Sequence, residues 1–130
     1  MSDIEIRALV VDDNQDVRES LVMVLELLGC QAQAFASAEE VLPLLTEAQP
    51  LDARIHIAFV DVSLLGMSGY ELARLVRARH VPRKAMLVAM TGWAAERDRD
   101  RALAEGFDAH VVKPLDMVRL RSLLDAVRPG

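Results

Sequence analysis

The sequence of 130 residues contains little cysteine, few aromatic residues and no excess of positive charge. Cys30 is the only cysteine, which excludes an intrachain disulfide and a cysteine-rich zinc site. The formal net charge of −5 argues against nucleic acid as a direct partner, because phosphate contacts need a basic surface. No apolar run approaches the roughly 18 residues of a membrane span, and the start MSDIEIR lacks the features of a signal peptide. These absences predict a reduced, cytoplasmic protein that binds neither membranes nor nucleic acid.

What the sequence does contain is a regular alternation of two kinds of segment. Short runs rich in apolar and β-branched residues predict strands at 6–11, 31–36 (an edge strand), 55–60, 86–90 and 109–112. Apolar residues at helical spacing predict helices in 17–28, 41–45, 72–76 and 117–127, and the charged segment 95–105 is predicted as a fifth helix. Gly29 and Gly106 are expected to end two helices, and Ser37 with Glu40 forms a capping box. Residues 49–54 are predicted as a loop.

These segments form five consecutive strand–helix units. Such alternation is typical of an α/β fold in which right-handed crossovers place helices on both faces of a parallel sheet. A chain of 130 residues is long enough for one domain with a substantial core. We therefore predict a single α/β domain over residues 1–130, built as a doubly wound five-stranded parallel sheet.

Polar residues stand at the carboxyl ends of four predicted strands. They are Asp12 and Asp13 after the first strand, Asp61 after the third, Thr91 after the fourth and Lys113 after the fifth. In open parallel sheets the ligand crevice lies outside these ends, so the five side chains are expected to converge there. Adjacent acids repel each other, which indicates that a cation belongs between them. Carboxylate oxygens are the ligands that Mg²⁺ prefers.

Each of these residues also has a purely structural interpretation. Asp12, Asp13 or Asn14 could cap the helix that follows. Thr91 could belong to a plain turn, and Lys113 could be a surface lysine. Because all of these interpretations would have to hold at once, a shared site is the favoured interpretation.

The same residues lie in four short motifs, VVDDN, FVDVSLLGMSGYELA, MTGWA and VVKPLD. In this order and over essentially the whole chain, the motifs resemble the receiver domain of two-component response regulators. The resemblance implies a flavodoxin-like (βα)5 fold with strand order 2-1-3-4-5. It implies a phosphorelay role, either as a single-domain regulator or as the receiver of a hybrid histidine kinase. The partner would be a sensor histidine kinase or a phosphotransfer protein.

The resemblance also implies roles in phosphoryl transfer. Asp61 would accept the phosphoryl group from a phosphohistidine, and Thr91 and Lys113 would contact its oxygens. These roles suit the chemistry, which needs a positioned nucleophile and donors that neutralise the equatorial oxygens. A cis Lys113–Pro114 peptide is implied as well. No enzyme activity is implied beyond self-phosphorylation from a phosphodonor and autodephosphorylation.

A magnesium site follows from the same resemblance. Asp13, Asp61 and the backbone carbonyl of Ser63 would bind Mg²⁺ directly. Asp12 would hold the ion through a water molecule.

At three positions the chain departs from the family pattern: Leu65 replaces a frequent proline, Gly92 a frequent alanine, and His110 the usual switch tyrosine or phenylalanine. In the family, phosphorylation draws the threonine, here Thr91, towards the phosphoryl group, and the switch residue rotates inward. The surface of 95–105, 109–112 and 117–127 would then bind an output protein or a second copy. Because a protonated imidazole is poorly solvated when buried, acid is expected to favour the outward rotamer of His110 below about pH 6.5.

Two other functions remain open at this point. A magnesium-dependent aspartyl-phosphate phosphohydrolase of the haloacid dehalogenase type needs a second aspartate two residues after the nucleophile, where this chain has Ser63. The phosphate-binding motif GxxxxGK[ST] is absent from the sequence, so ATP is not the expected substrate. A receiver-like binding module that is not phosphorylated would lack an acid or the lysine, and this chain lacks neither.

Overall fold

Five strands and five helices alternate along the chain in a computed structural model that describes residues 5–47, 54–79, 85–92 and 96–128. The strands are β1 (Arg7–Val11), β2 (Gln31–Phe35), β3 (Ile57–Asp61), β4 (Met86–Thr91) and β5 (Ala109–Val112). The helices are α1 (Gln15–Leu27), α2 (Ala38–Thr46), α3 (Gly69–Arg77), α4 (Glu96–Glu105) and α5 (Met117–Val127). The element order matches the prediction from the sequence.

All strand pairs are parallel, and the sheet order is β2-β1-β3-β4-β5, which confirms the expected doubly wound topology. Strand β3 is shifted from the predicted 55–60, because regular pairing begins at Ile57 and continues to Asp61. His56 still joins the sheet, since its N–H donates to the carbonyl of Arg7 at 2.9 Å. The predicted loop 49–54 and the predicted start of the fourth helix at Ala95 lie, apart from Arg54, outside the described residues.

The sheet separates two hydrophobic cores. On one face, Leu9, Val60 and Leu87 pack with residues of α2, α3 and α4. On the other face, Val10 and Phe59 pack with residues of α1 and α5. Each fully buried side chain of this size stabilises the fold by about 1.5–3 kcal/mol. None of the helices in the described part of the chain is long and apolar enough to cross a membrane.

The ends of the helices follow the capping signals in the sequence. Asn14 is the residue that caps α1, and its side chain accepts a hydrogen bond from the N–H of Val17 at 3.1 Å. Ser37 accepts from the N–H of Glu40, and its hydroxyl donates to the carboxylate of Glu40 at 3.0 Å, which confirms the capping box. Gly29 follows α1 with a φ of 88°, a conformation that glycine adopts without steric cost.

Gly69 begins α3 at the point where this helix approaches the end of β3. A Cβ atom on Gly69 would lie 2.5 Å from the carbonyl oxygen of Asp61 and 2.8 Å from Cα of Val62. Contacts this short with backbone atoms force the chain apart, so glycine is what lets α3 pack against the strand end that carries Asp61.

We expect Gly69→Ala to lower the free energy of unfolding by about 1–3 kcal/mol, because the added methyl group must displace backbone atoms. Urea unfolding measures the change. Gly92→Ala is the matched control, since no heavy atom of the described residues lies within 4 Å of its Cβ position. An equal loss in both variants would show that the approach of α3 to β3 tolerates a side chain.

Candidate functional site

Three carboxylates meet at the carboxyl edge of the sheet. Asp12 and Asp13 follow β1, and Asp61 is the last residue of β3, which lies beside β1. One carboxylate oxygen from each residue lies within 4.8 Å of the others. Asp12 and Asp61 are buried, whereas Asp13 is exposed. The structure therefore brings together the three acids that the sequence predicted.

Lys113, which follows β5, lies between two of these acids. Its Nζ is 2.5 Å from Oδ2 of Asp12 and 3.1 Å from Oδ2 of Asp61. Burial disfavours the charge on Lys113, but its hydrogen bonds and charge interactions with Asp12 and Asp61 outweigh this effect and raise its pKa. The peptide bond between Lys113 and Pro114 is cis, as the resemblance implied.

The other oxygen of the Asp61 carboxylate is bound by Ser63. The backbone N–H and the hydroxyl of Ser63 both donate to Oδ1 of Asp61, each at 2.9 Å. Donors therefore hold both oxygens of Asp61, with Ser63 on Oδ1 and Lys113 on Oδ2. The hydroxyl contact of Ser63 was not predicted, since only its carbonyl had been assigned a role.

Asp12 also accepts hydrogen bonds from the start of α1 and from the residue that caps this helix. Its Oδ1 accepts from the N–H of Asn14 at 2.9 Å. Nη1 of Arg18 in α1 donates to the backbone carbonyl of Asp12 at 2.8 Å, a contact that was not predicted from the sequence. The only signal for it was an arginine in the second turn of the helix that follows the acidic pair.

Thr91 and His110 form a hydrogen-bonded pair at the end of β4. Oγ1 of Thr91 lies 3.0 Å from Nε2 of His110. The carbonyl of Thr91 accepts from the N–H of Lys113, the residue after β5, at 2.8 Å, so β5 and the residue that follows it contact both the side chain and the backbone of Thr91. Burial lowers the pKa of His110, although the charge of Asp98 acts in the opposite direction.

His56 has a structural role. It is buried, and its Nδ1 accepts from the N–H of Arg7 at 2.9 Å. His80 lies outside the described residues, as does Trp93.

The model of the response regulator receiver domain matches residues 8–125 of the chain. The chain belongs to the response regulator receiver family. The strand order, the acidic cluster and the lysine at the sheet edge agree with this membership.

Two curated relatives illustrate the range of receiver proteins. An uncharacterized 14.6 kDa protein from the sodA1 3′ region of Leptolyngbya boryana is 36% identical over 118 residues, 89% of this chain and 85% of that protein. Heme response regulator HssR of Staphylococcus epidermidis is 30% identical over 123 residues, 94% of this chain but only 51% of HssR. The chain thus spans most of the first relative and about half of the second.

Solved receiver structures share the fold. A CheY-like receiver domain from Methylobacillus flagellatus has a TM-score of 0.80 and 27% identity, with coverage of 95% of this chain and 99% of that one. The receiver domain of the histidine kinase PA1611 from Pseudomonas aeruginosa PAO1 has a TM-score of 0.80 and 24% identity, with coverage of 95% of this chain and 97% of that one. That receiver domain holds a magnesium ion in its active site cleft. The receiver domain of Saccharomyces cerevisiae Ssk1, crystallised with the phosphotransfer protein Ypd1, has a TM-score of 0.82, 21% identity and coverage of 98% and 92%.

Receiver domains generally accept phosphoryl groups rather than act as classical enzymes, and they bind Mg²⁺ at an acidic pocket. They interact with histidine kinases or phosphotransfer proteins. A cluster of three acids, Asp12, Asp13 and Asp61, is present in this receiver.

We expect Lys113→Met to lower the free energy of unfolding of the metal-free protein by about 2–4 kcal/mol, because it leaves the buried Asp12 carboxylate without its ammonium partner. The raised pKa of Lys113 means that its stabilisation is complete below about pH 10.4, the unfolded value, and is lost as pH rises through the raised value. Urea unfolding in the presence of a chelator measures both effects.

Two further variants test this assignment. Asp12→Asn in the Lys113→Met background should recover part of the loss, since it removes the unpaired charge. Arg121→Met removes a cation from an exposed position of α5 and should change stability by less than about 0.5 kcal/mol. Similar losses for Lys113→Met and Arg121→Met would contradict the buried-pair assignment.

Proposed function

We propose that this receiver takes a phosphoryl group on Asp61 from the phosphohistidine of a sensor histidine kinase or a phosphotransfer protein. The observation that carries the proposal is the Asp61 carboxylate beside the Lys113 ammonium, at 3.1 Å, within a cluster of three acids. This arrangement combines a nucleophile with a cation that can neutralise the negative charge of the incoming phosphoryl group.

The transfer needs one bond to form and one to break. A carboxylate oxygen of Asp61 attacks phosphorus while the phosphorus–nitrogen bond of the phosphohistidine breaks, and the electron pair of that bond stays on the imidazole. Lys113 is placed to donate to a phosphoryl oxygen because its Nζ already contacts Asp61. Thr91, at the end of the strand beside β3, supplies a hydroxyl donor to another oxygen.

The residues present fit a bound Mg²⁺. Carboxylates within 4.8 Å of one another are the oxygen ligands that this ion prefers. Asp13, Asp61 and the carbonyl of Ser63 would hold the ion directly, and Asp12 would hold it through a water molecule. When bound, the ion neutralises charge on the phosphoryl oxygens.

The two other functions are not favoured. The phosphohydrolase of the haloacid dehalogenase type requires a general acid and base where Ser63 stands, and the hydroxyl of Ser63 instead donates to the nucleophile at 2.9 Å. A binding module that is not phosphorylated has no need for a half-buried lysine between two buried acids, because burying these carboxylates is costly.

The output of this receiver is proposed to pass through the surface of α4, β5 and α5 to an output protein or a second copy of the chain. This surface is supported by the contact of His110 in β5 with Thr91. A single receiver domain over residues 1–130, acting alone or as the receiver of a hybrid histidine kinase, and a cytoplasmic location remain predictions.

We expect Asp13→Ala to abolish detectable Mg²⁺ binding by titration calorimetry. In metal-free buffer the same change should raise the melting temperature, because it removes one of three crowded carboxylates. Glu26→Gln, a change at an exposed position of α1, is the control and should leave the affinity unchanged. Wild-type Mg²⁺ affinity in Asp13→Ala would refute the proposed ligand set.

Asp61→Asn should abolish phosphorylation by acetyl phosphate or by a phosphorylated kinase, because the amide keeps the shape of the carboxylate but is not a nucleophile. Intact-mass spectrometry should show one added phosphoryl group on the wild type and none on the variant. Asp125→Asn, at an exposed position of α5, should be labelled like the wild type. Full labelling of Asp61→Asn would assign the acceptor to another residue.

A further inference from the structure

Arg18 is a cation next to the acidic cluster that the proposed phosphoryl transfer does not use. It lies in α1, is half-buried, and donates from Nη1 to the backbone carbonyl of Asp12 at 2.8 Å. Holding a long side chain in one geometry costs conformational entropy, which this charge-assisted hydrogen bond must offset. The guanidinium is therefore committed to one carbonyl at the end of β1.

That carbonyl belongs to the peptide group between Asp12 and Asp13. A peptide group is planar, so a contact that fixes its oxygen fixes the orientation of the whole plane. The other polar groups of Asp12 are already held. Its N–H donates to the carbonyl of Phe35 at 3.1 Å, and its carboxylate accepts from Asn14 and Lys113. What the guanidinium adds is the direction in which the chain leaves Asp12 towards Asp13.

Asp13 is the acid of the cluster that depends most on its backbone. It is exposed, and within the described part of the chain no hydrogen bond or ion pair holds its carboxylate. Its place within 4.8 Å of the oxygens of Asp12 and Asp61 is thus set by the main chain that carries it. Arg18 fixes this main chain before Asp13, and Asn14, the cap of α1, fixes it afterwards.

We propose that Arg18 is a positioning residue that holds the Asp12–Asp13 peptide plane and thereby presents the Asp13 carboxylate to the divalent ion of the proposed site. The inference rests on the proposed function, because it concerns the ion that Asp13 and Asp61 would bind. Groups that orient metal ligands without touching the metal change metal affinity by about 10–100-fold when they are removed. Arg18 acts on its ligand through the backbone.

The charge of Arg18 alone makes the opposite prediction. The guanidinium is positive, and like charges repel, so a purely electrostatic role means that removing Arg18 tightens the binding of Mg²⁺. A positioning role means that removing Arg18 weakens the binding, because the Asp13 carboxylate then samples more orientations and must be ordered when the ion binds. The sign of the change in Mg²⁺ affinity therefore separates the two roles.

Arg18→Met keeps an aliphatic side chain at this position and removes both the donor and the charge. Titration calorimetry of the full chain with Mg²⁺ should give a dissociation constant about tenfold larger than that of the wild type. Arg121→Met, which removes a cation from an exposed position of α5, is the matched control and should bind Mg²⁺ as the wild type does. Equal or tighter binding in Arg18→Met would overturn the inference.

A second measurement distinguishes positioning from a loss of folded protein. The rate of phosphorylation by acetyl phosphate is followed as the Mg²⁺ concentration is varied. For Arg18→Met, the Mg²⁺ concentration at half-maximal rate should rise by about tenfold, while the rate at saturating Mg²⁺ stays within about twofold of the wild type. A lower maximal rate with an unchanged half-saturating concentration would show that Arg18 is only structural.

The hydrogen bond itself can be observed in solution. The amide nitrogen of Asp13 belongs to the peptide group whose carbonyl accepts from Arg18, so its magnetic resonance signal responds when that bond is lost. In metal-free Arg18→Met we expect the Asp13 signal to move, whereas the amide signal of Ser63, which donates to Asp61, should stay in place. An unmoved Asp13 signal would contradict the inference, since the peptide plane would not depend on Arg18.

The outcomes distinguish this inference from the proposed function. A wild type that neither binds Mg²⁺ nor accepts a phosphoryl group would defeat both. A wild type that does both, together with an Arg18→Met variant of equal or higher Mg²⁺ affinity, would defeat the inference alone and leave Asp61 as the proposed acceptor.

Discussion

The position of Lys113 between two carboxylates is the contact on which the rest of the site depends. Its ammonium binds Asp12 at 2.5 Å and Asp61 at 3.1 Å. Bringing two carboxylates to one sheet edge raises their mutual repulsion, and the burial of Asp12 removes the solvent that would screen it. The Lys113 ammonium offsets both effects. Lys113 can therefore share one site with Asp12 and Asp61, which lie 101 and 52 positions before it in the sequence. The parallel sheet supplies the geometry, and Lys113 supplies the compensating charge.

The segment from His110 in β5 to Lys113 links the charged cluster to the proposed switch. The N–H of Lys113 donates to the carbonyl of Thr91 at 2.8 Å, and His110, three residues earlier, contacts the Thr91 hydroxyl. Thr91 is thus held at its side chain by β5 and at its backbone by Lys113, which follows β5. Because β5 is an edge strand of four residues, paired with β4 alone, its own contacts with Thr91 are easier to displace than contacts between central strands.

Much of this arrangement could be predicted from the sequence, because it depends on local patterns and on one rule of topology. Apolar periodicity located the strands, and the rule that ligands bind at the carboxyl ends of parallel strands brought Asp12, Asp61 and Lys113 together. What could not be predicted depends on side-chain rotamers after packing. The hydroxyl of Ser63 on Asp61 and the Arg18 guanidinium on the Asp12 carbonyl are contacts of this kind.

The charges of the cluster explain why its acids differ in environment. Asp12 and Asp61 share the Lys113 ammonium and are buried, whereas Asp13 is exposed. Three carboxylates and one ammonium leave two negative charges at the sheet edge, and a second lysine would balance only one of them. A divalent cation balances both, and an approach from the solvent side would bring it to Asp13 first. The exposure of Asp13 therefore suits the exchangeable divalent ion proposed for this site, while the half-buried position of Lys113 between Asp12 and Asp61 suits a charge that stays in the protein.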